Sequence, residues 1–195
     1  KQTESTSNLG NGSKSIGEVG CTLTTFVRMA NELGANVTLD DANRYARSSN
    51  LYTADTDGSL TALTPENGAA LVNGLLGDRK IEVIFDGSAY GDTTQLSSAI
   101  NAKENEGAQY FATARIGTGN KERTKTYPHS VSINNRSTFF SGVLSDISKA
   151  LGFKYNDTSR AGRTGTNDNS RVNNPVRVDF FRIEKKNWAM IENNQ

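Results

Sequence analysis

Residues 16–29 read IGEVGCTLTTFVRM, and this stretch defines the first large element of the fold. From Cys21 onward, apolar residues recur at intervals of three and four, which is the spacing of one face of an α-helix. The pattern predicts a buried helix over 21–33, ended by Gly34, with Cys21 in its first turn. The apolar face is formed by Leu23, Phe26, Val27, Ala30 and Leu33.

The sequence around this helix predicts a first half made mostly of helices. Thr38 followed by two aspartates is typical of a helix start, and Thr64 followed by proline and glutamate is another. Asp92 is expected to cap a further helix. The predicted elements are an N-terminal loop over 1–18, helices over 38–46 and 65–76, a loop over 50–62, a strand over 80–85 and a helix after Asp92.

The second half of the chain changes to strand patterns. Alternation of polar and apolar residues is cleanest over 130–133. Because helices come first and strands later, without regular alternation, the order predicts an α+β fold with a mainly antiparallel sheet. The predicted elements are strands over 109–116, 130–133, 153–155 and 176–183, an inserted helix at about 141–151, a loop over 117–126 and turn-forming residues over 158–174.

A chain of 195 residues is long enough for one domain with its own core. We therefore expect a single domain over 1–195. Its helical half is expected at about 16–105 and its sheet half at about 108–185. Since the sequence starts at Lys1 rather than at methionine, we also expect it to be part of a larger polypeptide.

The residue counts exclude several classes of protein. The 22 lysines and arginines nearly balance the 21 aspartates and glutamates, so no net charge favours nucleic acid or an anionic membrane. No apolar run approaches the roughly 20 residues of a membrane span. One cysteine and one histidine exclude an intrachain disulfide framework and a four-ligand zinc site. Asp55, Asp57 and Gly58 resemble part of a calcium loop but lack its later glutamate, so we expect no metal there.

The single cysteine and the single histidine are a candidate catalytic pair. Cys21 lies at a predicted helix N-terminus, where the N–H groups and the helix dipole lower the pKa of a thiol. A cysteine hydrolase also needs a general base, and His129 is the one histidine in the sequence. Taken alone, each residue also fits a role without catalysis: Cys21 as a small buried side chain, and His129 as a structural or surface histidine. The residue types and their order fit a cysteine peptidase.

The local sequence resembles that of C39-like peptidases in the papain-like superfamily. Residues 16–29 resemble the family's nucleophile segment, which typically reads IG..GC.LTS..M. Residues 33–43 resemble the LG..VTP..LN that follows it. Residues 111–115 and 128–133 resemble the strand pair that carries the family's histidine, so the resemblance covers roughly residues 1–135.

This resemblance implies a papain-like fold, with N-terminal helices packed on the C-terminal sheet. Cys21 would be the nucleophile and His129 the general base. The implied reaction is hydrolysis of peptide or isopeptide bonds through a thioester acyl-enzyme, without a cofactor. The implied substrate is a polypeptide or a peptidoglycan peptide.

The resemblance also implies an oxyanion residue and a residue that orients the histidine. The family carries a glutamine upstream of the cysteine, and Gln2 matches it in order, with the Cys21 N–H as the second donor. An Asp or Asn is expected after the histidine, commonly before proline, but no Asp-Pro pair occurs here. Asp157 matches the end of a strand, whereas Asp146 also fits a helix cap, so we prefer Asp157. The same role is open to Asn134, Asn135 and Asn156.

Other functions use the same residues. The same triad acting on other acyl groups would make a peptidoglycan hydrolase, a deamidase or a transglutaminase, because the pocket selects the substrate. A protein that has the same fold but does not catalyse the reaction would be a catalytically inactive binding module. We favour a secreted or cell-surface location, as for a toxin or effector domain, and expect no nucleic-acid partner.

Overall fold

A computed structural model describes residues 5–106, 109–119, 126–133, 155–156 and 175–186. These residues contain five helices and seven strands. The helices are α1 (Ile16–Val19), α2 (Cys21–Glu32), α3 (Leu39–Ser48), α4 (Pro65–Leu76) and α5 (Thr93–Asn105). The strands are β1 (Thr53–Ala54), β2 (Leu60–Ala62), β3 (Ile81–Tyr90), β4 (Gln109–Gly119), β5 (Thr126–Ile133), β6 (Tyr155–Asn156) and β7 (Pro175–Lys185).

Five of the strands form one antiparallel sheet. Their order is β3-β7-β4-β5-β6, so β7 lies between two strands that precede it in the chain. Every neighbouring pair in this sheet is antiparallel. The α+β class with an antiparallel sheet is therefore confirmed, and β3 from the first half of the chain is part of the same sheet as the later strands.

Helix α2 supplies one side of the main core. Four residues of the predicted face are buried, with Leu23 and Ala30 almost completely inaccessible. The fifth, Leu33, is the half-buried C-cap residue, because the helix ends at Glu32. The Phe26 ring meets the Phe181 ring of β7 edge-on, with centroids 5.5 Å apart, and Phe85 of β3 packs on Phe181 at 5.7 Å. This aromatic group joins the helix to the two sheet strands β3 and β7.

The opposite side of β7 is covered by α5. Val178 and Phe180 are buried, but they lie outside the core that contains Phe181, as alternation along a strand requires. Lys103 of α5 lies over the Phe180 ring and donates to Asp86 Oδ2 at 2.8 Å. That hydrogen bond is the main cause that raises the pKa of Lys103. The sheet thus has helices on both faces.

The structure corrects two predicted loops. The N-terminal loop over 1–18 contains the single-turn helix α1, where the Glu18 carboxylate accepts hydrogen bonds from the Ser15 N–H and hydroxyl. One helical turn is too short to show a periodic pattern. The loop over 50–62 contains the short antiparallel pair β1 and β2. The backbone of Leu60 is held there by Asn11, a contact between residues far apart in the sequence.

Several predicted strands are confirmed but differ in extent. Strand β3 continues to Tyr90, beyond the predicted end at residue 85, and β7 covers 175–185 rather than 176–183. Strand β4 runs to Gly119, into the predicted loop over 117–126. The weak strand predicted over 153–155 is found at Tyr155–Asn156. The predicted helix at about 141–151 and the turns over 158–174 lie outside the described residues.

Asn43 ties the N-terminal segment to the helices. Its Oδ1 accepts hydrogen bonds from the Gly10 N–H at 3.0 Å and the Tyr52 hydroxyl at 2.8 Å, and its Nδ2 donates to the Asn8 carbonyl at 2.8 Å. Asn43 is buried, and these bonds use three of the four hydrogen bonds that its side chain can make. Burial raises the pKa of Tyr52, which therefore remains a neutral hydrogen-bond donor.

Two glycines of α4 provide a matched test of the core. A Cβ at Gly68 would overlap the buried Phe26 ring, whereas a Cβ at Gly74 would meet Tyr45, which is 37% exposed and can rotate outward. Gly→Ala in a helix interior favours folding by about 1 kcal/mol, but overpacking costs about 1–3 kcal/mol. Because the Phe26 ring is buried and the overlap is large, the overpacking cost at Gly68 should lie near the upper end of this range. We therefore expect Gly68→Ala to lower the free energy of unfolding by about 1–2 kcal/mol net, and Gly74→Ala to leave it unchanged or slightly raised.

Urea unfolding followed by circular dichroism measures both variants. Equal stability of the two variants would contradict the packing of Phe26 against the α4 backbone.

Candidate active site

Cys21 is the first residue of α2, as the sequence predicts, and its side chain is half-buried. The N-cap of this helix is Gly20, which has no side chain to accept a hydrogen bond from the first turn. By contrast, Thr38 and Thr64 accept hydrogen bonds from backbone N–H groups at the starts of α3 and α4. The positive end of the α2 dipole is thus not neutralised by a capping side chain at the position of the thiol.

Gly20 is required by packing between α1 and α2. It is buried, its N–H donates to the Ile16 carbonyl at 2.8 Å, and a Cβ there would lie 2.5 Å from Ile16 Cγ2 and 2.6 Å from Ile16 O. From the sequence alone, Gly20 suggests a place where substrate approaches the backbone. The structure adds a packing role, because the absence of a side chain at Gly20 lets the completely buried Ile16 fix the start of α2.

Three threonines surround the backbone at Cys21, and the sequence gives little indication of their role. Thr24 Oγ1 donates to the Gly20 carbonyl at 2.8 Å, and Thr25 Oγ1 donates to the Cys21 carbonyl at 2.9 Å. The Thr22 hydroxyl lies 3.9 Å from Cys21 Sγ. Threonine hydroxyls inside helices often donate to the carbonyl four residues earlier. The three threonines between Thr22 and Thr25 are therefore the one feature of the sequence that could have predicted these contacts.

His129 lies on β5, a strand in backbone contact with α2. Its position along the sheet follows from the register. Arg115 of β4 pairs with both Ser130 of β5 and Arg177 of β7, so His129 lies one residue from the row of Arg177. His129 itself pairs with Ile116, in the next row.

The N-terminus of α2 lies at the same end of the sheet. Thr22 and Thr25 share a cavity with Arg177 and Asp179, and one turn later Phe26 contacts Phe181. Helix α2 therefore starts level with the row that contains Arg177. The structure brings the segments that carry Cys21 and His129 to one end of the sheet, although the two residues are far apart in the sequence.

Of the remaining predicted site residues, the structure describes Asn156 alone. Gln2, Asp146 and Asp157 lie outside the described residues, as do Asn134 and Asn135. Asn156 is described in β6, where its backbone pairs with Ser132 of β5. Strand β6 therefore lies next to the strand of His129, which is where an orienting residue is expected.

A cavity of about 220 Å³ lies beside the start of α2. It is formed by α2, the β1–β2 pair, the start of α4 and β7. The sequence gives no sign of this cavity, because its walls come from four separate parts of the chain. Its polar lining consists of Thr22, Thr25, Thr53, Thr64, Arg177 and Asp179.

The described residues give no indication of a metal site. They contain no group of three or more His, Cys, Asp or Glu side chains arranged to hold an ion. Asp57 accepts hydrogen bonds from the Ser59 hydroxyl and N–H, which lower the pKa of its carboxyl. The resemblance to a calcium loop around residues 55–58 is thus explained by a local turn.

A scan against family models and searches of curated proteins and solved structures find no match to the chain. Among the helices of the described ranges, none is long and apolar enough to cross a membrane. The chemistry of the site therefore has to be inferred from its own residues.

The position of Cys21 should depend on the absence of a side chain at residue 20. We expect Gly20→Ala to lower the free energy of unfolding by about 1–3 kcal/mol, because the new methyl overlaps Ile16. It should also slow the alkylation of Cys21 in the folded protein, since the start of α2 must move. Urea unfolding and mass spectrometry after iodoacetamide treatment measure the two effects.

Alkylation of both proteins in concentrated urea is the control, and the rates there should be equal. Wild-type stability in the Gly20→Ala variant would show that the α1–α2 junction is not tightly packed.

Proposed function

We propose that the chain is a cysteine peptidase with a papain-like fold, similar to C39-like peptidases. The observation that carries the proposal is positional: helix α2 begins with Cys21, contacts the strand of His129, and starts at the same end of the sheet. A nucleophile on a helix and a base on a facing strand can meet in a cleft between these elements.

In this proposal, Cys21 acts as a thiolate. The N-terminus of α2, whose N-cap residue Gly20 has no side chain, stabilises the negative charge, and protonated His129 completes an ion pair with it. The half-buried side chain of Cys21 allows a substrate to reach the sulfur. The adjacent cavity provides room for part of that substrate.

The proposed reaction has two stages. The Cys21 thiolate attacks the scissile carbonyl carbon and forms a C–S bond, while the carbonyl oxygen becomes negatively charged. His129 gives its proton to the leaving amine as the C–N bond breaks, which leaves a thioester. His129 then takes a proton from water, and the hydroxide formed attacks the thioester. The C–S bond breaks, the carboxylic acid is released, and the pair of Cys21 thiolate and protonated His129 is restored.

The oxyanion and orienting groups follow the sequence resemblance. Gln2 and the Cys21 N–H would donate hydrogen bonds to the developing oxyanion. Asp157 would accept a hydrogen bond from the His129 ring and hold its tautomer, with Asp146 as the second candidate. Substitution of the two aspartates distinguishes between them.

Thiol reactivity tests the proposed ion pair directly. At pH 6, an ordinary thiol with a pKa near 8.5 is only about 0.3% ionised. We expect iodoacetamide to alkylate Cys21 stoichiometrically at pH 6 in the folded protein, and His129→Ala to slow this at least about tenfold. The rate is measured by intact-mass spectrometry between pH 4 and pH 9.

Unfolded protein is the control, because its thiol should react with an ordinary pH dependence. Cys21→Ala and His129→Ala should each reduce hydrolysis of a quenched fluorescent peptide library by about 10⁴-fold or more. A thiol that stays inert until the protein is unfolded would overturn the peptidase proposal.

Paired substitutions identify the residue that orients His129. We expect Asp157→Ala to lower kcat by about 10²–10⁴-fold, since the imidazole loses its hydrogen-bond acceptor. Asp157→Asn should retain more activity, because an amide oxygen still accepts that bond. Asp146→Ala is the matched control and should stay within about twofold of wild type. The reverse result would assign the role to Asp146.

A further inference from the structure

The cavity beside the start of α2 contains a largely buried ion pair that the proposed reaction does not use. Arg177 Nε donates to Asp179 Oδ1 at 2.5 Å, and the two side chains are only 20% and 11% exposed. The Ser88 hydroxyl donates to the same Asp179 oxygen at 2.6 Å and accepts from Arg177 Nη2 at 3.1 Å. The exposed Tyr90 ring lies 5.3 Å from the Arg177 guanidinium. The pair is therefore held rigidly at the cavity wall.

Core stability does not explain why this pair is present. The next residues on the same face of β7 are Phe181 and Ile183, which belong to the apolar core. An ion pair removed from water is often no better for stability than apolar residues of similar size. A charged pair at the point where β7 passes from the core to the cavity suggests a binding role instead.

The groups left over by these contacts define a ligand chemistry. A guanidinium has five N–H groups, and the contacts to Asp179 and Ser88 use two of them. Asp179 Oδ2 takes part in neither of the contacts that Oδ1 makes. The wall therefore combines hydrogen-bond donors with an acceptor, and its formal charges cancel.

We propose that this cavity is a subsite for a substrate side chain that ends in a carboxamide, as in glutamine or asparagine. This inference rests on the proposed peptidase function. Arg177 donates to the amide oxygen, and Asp179 Oδ2 accepts from the amide nitrogen. The two partners of the ion pair thus recognise the two halves of one neutral group.

Other side chains fit this wall less well. A glutamate would place a second carboxylate beside the buried Asp179, and a lysine would place a cation beside Arg177. A leucine would remove water from the polar wall without replacing the lost hydrogen bonds. Sites built to hydrogen-bond a substrate discriminate strongly against analogues that lack the bonding group.

The test uses two series of blocked peptides, one for each of the two positions before the scissile bond. Within a series, the peptides differ only in the side chain at that position, which is Gln, Glu, Lys or Leu. Hydrolysis by the wild type gives kcat/KM, and calorimetric titration of Cys21→Ala gives binding without reaction. We expect Gln to be preferred at least about tenfold in both measurements. Asp179→Asn should shift the preference to Glu, and Arg177→Gln should shift it to Lys.

A further variant leaves the ion pair intact. Ala62 of β2 also lines the cavity, so Ala62→Met should fill it and abolish the preference even if Arg177 and Asp179 variants fail to fold. Thermal unfolding checks that each variant is folded.

The outcomes separate the two proposals. Hydrolysis without side-chain preference, or a preference that Ala62→Met leaves unchanged, would overturn the subsite and leave the peptidase in place. Selective binding of the Gln peptide to Cys21→Ala, with no hydrolysis by the wild type, would support the subsite and overturn the peptidase. Neither binding nor hydrolysis would overturn both.

Discussion

The edge-to-face contact between Phe26 and Phe181 determines how α2 sits on the sheet. A contact of this geometry between buried rings contributes about 0.5–1.5 kcal/mol beyond the area it buries. Its larger effect is positional, because it fixes the helix along β7 at one level. One turn before Phe26, the start of α2 then faces Arg177 and Asp179. A slip of one helical turn would move Cys21 away from the cavity and from the end of the sheet that carries His129.

The surrounding elements hold this arrangement from the other sides. Gly68 allows the backbone of α4 to approach the Phe26 ring, and Gly20 allows α1 to approach the first turn of α2. Asn43 fixes the segment that leads into α1. The two glycine contacts each join a different element to the helix that begins at Cys21, so the structure restricts that helix in position as well as in length.

Local patterns in the sequence are sufficient to predict the larger elements. The apolar face of α2 and the alternation in β7 are properties of neighbouring residues, and both elements are found where the patterns predict them. The α1 turn escapes prediction because one helical turn is too short to show a periodic pattern. The β1–β2 pair escapes prediction because it depends on contacts with distant residues, such as Asn11 with Leu60. The Ser88–Asp179 bond is a contact of the same kind, so the cavity wall could not be predicted. The sequence is sufficient to predict Cys21 and His129 as a candidate catalytic pair. That the segments of both residues lie at the same end of the sheet follows only from the strand register.

The position of β7 has a consequence for how the chain is made. This strand follows β3 and β4 in the sequence but lies between them in the sheet. During synthesis, those two strands cannot be joined until residues 175–185 have left the ribosome. Contacts over such long separations also slow folding. Because Arg177 and Asp179 lie on the joining strand, the Cys21 thiol leaves the ribosome long before the wall beside the start of α2 can form.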